Sequence, residues 1–157
     1  MKLFPRLFTL LRQGPARWVI LLEALWALES AHRLVRRTIF IDYKDTLGRP
    51  VNGEVVPEKS TRQAVVHDIR WALTSIERSF FQRYTCLCQS IAAQRMFARR
   101  RIPYAVVLGA KLGATPDPRT QGDPMAAHAW VCAGGGVVVG EKERGMFVPV
   151  VSYVGNG

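Results

Sequence analysis

The chain is short of cysteine, short of acidic residues and without an unbroken apolar run, and each shortage removes a class of protein. Three cysteines among 157 residues make an odd count with no regular framework, so a secreted domain built on disulfides is excluded. No signal-peptide pattern opens the chain, and reduced thiols in a cytoplasmic setting are expected. Aspartate and glutamate number 12 against 22 lysines and arginines, a net charge of +10, which raises the question of a polyanionic partner. The basic residues are spread out, except for Arg36-Arg37 and Arg99-Arg100-Arg101. No helix-turn-helix, RNP-like or zinc-finger spacing accompanies them, so no nucleic acid is expected as partner. A solvated basic face, or attraction to an acidic peptide or protein, is the reading left.

What is present is enough to fold. A composition 48% hydrophobic and 22% charged excludes disorder and suits one domain with or without an appendage. The longest apolar stretch, Ala16 to Arg37, has Trp18, Leu21, Leu22, Leu25, Trp26 and Leu28 on a helical pattern. A membrane span needs about 20 predominantly apolar residues, and Arg17, Glu23, Glu29 and Arg33 break this one. An amphipathic helix packed on the domain or on a partner protein is expected. Met1 to Gln13 reads as a shorter basic amphipathic helix interrupted by Pro5; it docks on the domain or touches a membrane surface, the latter being the lesser reading.

Ile39 to Glu58 is dense in Asp, Gly, Pro and Asn and reads as a connector. It divides an amino-terminal helical segment, residues 1–55, from a main domain, residues 56–157. Ser60 and Gln63 match a capping box ahead of Val65, Val66, Ile69, Leu73 and Ile76 at helical spacing. His67 beside that stripe is structural. Phe80, Phe81 and Tyr84 are placed to wall a pocket, and a second helix runs from Cys86 to the stop before Pro103. Tyr104 to Ala110 predicts a strand, and the breaker-rich loop Gly113 to Pro124 predicts a border to a binding site. His128 to Cys132 and Val137 to Gly140 predict a hairpin about the glycines 134–136. Met146 to Val154 predicts a last strand near an edge, because it carries Pro149.

The chemistry centres on Tyr84-Thr-Cys-Leu-Cys-Gln-Ser90. A helix start leaves backbone N–H groups unpaired and presents the positive end of the macrodipole, so a thiolate at Cys86 is favoured there. With Gly134-Gly135 as the turn, counting outward along the hairpin sets Glu141 opposite His128; with Gly135-Gly136 it sets Glu143 there. Thiol, imidazole and carboxylate are the parts of a cysteine nucleophile site. A zinc site made of Cys86, Cys88, His128 and Cys132 fails on geometry, because His128 and Cys132 on one strand stand about 13 Å apart, whereas zinc ligand bonds are about 2.0–2.3 Å. No metal or cofactor is expected, and Cys88 and Cys132 read as packing residues.

Thr85-Cys86-Leu87, Gln89-Ser90 and Ala127-His128-Ala129-Trp130-Val131 together resemble the leader peptidase of lasso-peptide biosynthesis, the B protein in its split protease form. The match runs over about residues 60–154, and the Trp- and Leu-rich amino-terminal helix is similar too. The resemblance implies an α+β fold, a papain- or transglutaminase-like core whose nucleophile opens a helix packed on a small antiparallel sheet. It implies that Cys86 is the nucleophile and His128 the base. The family's third member is an aspartate on the strand after the histidine; no Asp follows Asp123 here, and Glu141 is the substitute. The task implied is removal of the leader from a ribosomally made precursor, which frees the core peptide for an ATP-dependent cyclase. A separate leader-binding protein is then an expected partner. Transglutaminase-like acyl transfer, deamidation, and a non-catalytic basic binding module are the alternatives.

Overall fold

The computed structural model describes residues 14–79, 83–111 and 126–156. Met1 to Gln13, Phe80 and Phe81, and the loop Gly113 to Pro124 lie outside the described residues.

Helix α1, Pro15–Arg37, opens with proline where a missing N–H costs nothing and closes on Arg36 and Arg37, favoured at the negative end of the dipole. Its buried face is Ala24, Ala27, Leu28 and Ala31, small side chains that let the backbone come close to a second helix. Val19, Leu22 and Trp26 point away and are exposed. The expected connector supplies α2, Phe40–Tyr43, a 3₁₀ turn, Lys44–Leu47, and strand β1, Arg49–Asn52. Tyr43 and Leu47 are buried in the same core as Ala24 and Ile69. One continuous core runs across the expected division between 55 and 56, because the turn residues bend the chain back onto the domain.

Helix α3, Gln63–Ser79, buries Val66, Ile69, Ala72, Leu73 and Ile76. The capping box is not formed. Ser60 Oγ accepts from the Arg62 N–H at 3.0 Å, and Gln63 Nε2 donates to the Gly134 carbonyl at 3.0 Å, tying the helix start to the hairpin turn. Helix α4, Cys86–Arg99, is capped by Thr85, whose hydroxyl accepts from the Cys88 N–H at 3.3 Å.

Strands β2, Tyr104–Lys111, β3, Ala126–Ala133, β4, Gly136–Val139, and β5, Val148–Gly155, join β1 in an antiparallel sheet of order β1-β5-β2-β3-β4. β5 lies next to the edge strand β1, near an edge as Pro149 suggested. It pairs with β1 only over Val151–Val154, and Pro149 stands outside that pairing, where the ladder on β2 is irregular. The helices cover one face, with Tyr104, Val106 and Val131 against Ile91, Met96 and Phe97. On the other face Ala105, Val107, Trp130, Cys132 and Val137 lie beneath Val55 and Phe147. Gly109 stands opposite His128 on β2, and a Cβ there would come within 2.6 Å of the Trp130 ring. The architecture is α+β, as expected. Among the described residues no helix is long and apolar enough to cross a membrane.

Candidate active site

Cys86 is the first residue of α4, held there by the Thr85 cap. Of the three free thiols it is the one left partly exposed; Cys88 and Cys132 are buried. Burial pushes the Cys132 thiol up to about 12, so it stays protonated. The N–H groups of Cys86 and Leu87 have no partner among the described residues, as the opening of a helix requires.

His128 sits near the start of β3, buried and stacked on Phe147 with ring centroids 5.0 Å apart and on Trp130 at 6.0 Å. Nε2 lies 3.1 Å from the Gly140 carbonyl oxygen. A carbonyl can only accept, so this contact needs the hydrogen on Nε2 and leaves Nδ1 as the basic nitrogen. Nδ1 in turn lies 3.5 Å from Glu143 Oε2, a carboxylate placed to stabilise the imidazolium once Nδ1 takes a proton.

The pairing of His128 with Glu141 is corrected. The turn is Gly134-Gly135, and Cys132 pairs with Val137 as counted, but the register then shifts so that Val131 pairs with Val139. β4 ends there. Gly140 takes a left-handed conformation and the chain turns into helix α5, Glu141–Arg144. Glu141 leaves the strand and meets Arg70 on α3 at 2.6 Å, while Glu143, two residues further along the helix, comes to His128. A residue in each strand's count was legible; the bulge was not. The composition of Glu141-Lys142-Glu143-Arg144, four good helix formers after a glycine, was the available signal.

Cys86 and His128 line one cavity of about 660 Å³ with Tyr84, Gln89, Arg70 and Glu143. By strand alternation His128 belongs with Trp130 and Cys132, on the sheet face away from α4. The cavity reaches it past Val138, Val139 and the turn after β4, which form its wall. No hydrogen bond joins Cys86 to His128 among the described residues; such catalytic contacts commonly close only in the substrate complex. Arg70, Arg78 and Lys142, interleaved with Glu77, Glu141 and Glu143, give the cavity lining both signs of charge. Cys132 and His128 do lie on one strand, four residues apart, and no group of three or more His, Cys, Asp or Glu side chains suited to a metal occurs among the described residues. His67 is exposed on α3 and does not line the cavity.

Compared with known families, residues 18–152 match the model of the transglutaminase-like superfamily. No curated protein and no solved structure matches. The matched stretch starts inside α1, so the helix and the sheet fall within one family unit.

Proposed function

Because the chain belongs to the transglutaminase-like superfamily, whose members are typically cysteine-dependent enzymes, we propose that it is a cysteine peptidase that removes the leader from a ribosomally made lasso-peptide precursor. The observation that carries the reading is that Cys86, at a helix start, and His128 both line one cavity. The motifs around both residues support the finer assignment to precursor processing.

In this reading His128 Nδ1 takes the Cys86 proton, and the thiolate attacks the scissile carbonyl. The oxyanion is met by the unpaired N–H groups of Cys86 and Leu87 at the start of α4. His128 returns the proton to the leaving amine as the C–N bond breaks, leaving a thioester on Cys86. Water, deprotonated by the same nitrogen, resolves the thioester to acid and free thiol. The Gly140 carbonyl holds the Nε2–H tautomer, the task of the family's aspartate, and Glu143 stabilises the imidazolium. A separate leader-binding protein presents the precursor, and a cyclase consumes the freed core peptide.

The test is incubation of the chain with a candidate precursor, with and without the leader-binding protein, read by mass. Hydrolysis gives two fragments at the leader junction. Cys86→Ala and His128→Ala each reduce the rate roughly a thousandfold or more with the fold intact by circular dichroism. A heavier adduct in place of two fragments would replace peptidase action by acyl transfer. Cleavage by Cys86→Ala at the native rate would remove the cysteine mechanism altogether.

A further inference from the structure

Glu54 lies outside the cavity, yet its carboxylate ties a ring that stacks on His128 to the short helix that carries Glu143. Oε1 accepts from Trp130 Nε1 at 2.9 Å and from Arg144 Nε at 2.9 Å, and Oε2 accepts from Arg144 Nη2 at 2.7 Å. Trp130 is wholly buried and stacks on His128. Arg144 is the last residue of α5, next to Glu143, whose carboxylate faces His128 Nδ1. Glu54 follows β1, so the group holding the histidine's surroundings comes from the far edge of the sheet in both sequence and strand order.

A helix of four residues has little stability of its own, because helix nucleation is unfavourable and is recovered only over longer runs. α5 therefore needs an external tie. The planar guanidinium of Arg144 binds the carboxylate through two of its nitrogens, the arrangement that fixes direction as well as distance. The Arg144 side chain lowers the Glu54 carboxyl below its usual range, which keeps the pair ionised.

We propose that Glu54 is a positioning residue: through Arg144 it fixes α5 so that Glu143 stands at His128 Nδ1. The inference rests on the cysteine-site reading and names a residue that acts on it from outside the cavity.

The test uses the full chain and iodoacetamide, which alkylates Cys86 without any substrate; Cys88 and Cys132 are buried. Glu54→Gln keeps an acceptor for the Trp130 indole and loses the ion pair. Arg144→Gln loses it from the other side. Each is expected to slow Cys86 alkylation at neutral pH roughly tenfold, the size of effect that slight misplacement of a catalytic group brings. Glu143→Gln slows it as much or more, and Glu54→Gln combined with Glu143→Gln slows it no further than Glu143→Gln alone. Imidazole ¹⁵N shifts, assigned with His128→Ala, report the same His128 change in all three single variants. A purely structural role would lower the melting temperature and leave these shifts alone.

Multiplying losses in the double variant, or native alkylation and shifts in both Glu54→Gln and Arg144→Gln, would overturn the proposal. The underlying site reading fails separately, if His128→Ala alkylates at the native rate.

Discussion

At the scale of single residues, the site is a histidine whose two ring nitrogens have different duties. Nε2 is committed to a backbone carbonyl, and Nδ1 faces a carboxylate. The backbone carbonyl is available only because Gly140 turns at φ +80, and a Cβ there would meet the Ala129 oxygen and the Trp130 Cβ at 2.8 Å. Gly140→Ala therefore carries two burdens, a left-handed conformation disfavoured for alanine and a collision with β3. Such strained positions cost about 1–3 kcal/mol each, and relief moves the acceptor away from Nε2. On the proposed peptidase reading, the expected outcome is a lower melting temperature together with slower cleavage; a variant matching the wild type in both would deny Gly140 its role. The places of Cys86 at a helix start and His128 near a strand start were legible in the sequence, because capping and alternation are carried by the side chain and its immediate neighbours. The Gly140 carbonyl was not, since a backbone acceptor leaves no residue-type signature.

Among the elements, helical periodicity was the dependable signal and strand counting the fragile one. α1, α3 and α4 fall close to where apolar spacing puts them, but the side of α1 that packs most deeply is the alanine side and not the side of Leu22 and Trp26. Bulk alone misleads there, because two helices approach most closely over small residues. One irregularity between Val131 and Cys132 moved Glu141 off His128, and β1 hid among turn residues that pattern reading assigns to a connector. The contact between α1 and α4 is reinforced where Glu23 accepts from Arg100 at 2.9 and 2.5 Å. The Arg100 hydrogen bonds hold the Glu23 carboxyl below its ordinary value of 4.5. A carboxyl lowered on folding stabilises the native state above its unfolded value, and that contribution disappears as pH falls through the lower folded value. Glu23→Gln is thus expected to lose about 2 kcal/mol at neutral pH, a hydrogen bond to a charged group being worth about that much. Melting curves should show the gap from wild type closing below the unfolded value of 4.5. A gap that stays constant into acid would assign the loss to packing.

For the molecule as a whole, the amino-terminal helix is part of the core and also offers a face to the outside. Ala24, Ala27, Leu28 and Ala31 are buried with Ile91, Met96 and Phe97, so removing residues 1–37 strips apolar cover from α4 and unfolds the domain. Lost processing in such a deletion says nothing of a partner. The outward stripe of Val19, Leu22 and Trp26 is a separate matter: it is exposed, and Arg99 lies over the Trp26 ring at 4.8 Å. If the leader-binding protein meets the chain there, Leu22→Glu and Trp26→Ala each weaken its binding at least tenfold by calorimetry. An exposed cation–π contact is worth only about 0.5–1 kcal/mol, so the melting temperature of Trp26→Ala stays within a few degrees of wild type. Substitution on the buried side, Leu28→Ala, does the reverse, costing about 2–5 kcal/mol of stability without a specific effect on affinity in the fraction that remains folded. Unchanged affinity in both outward variants would move the docking face off α1, while the helix kept its place in the core.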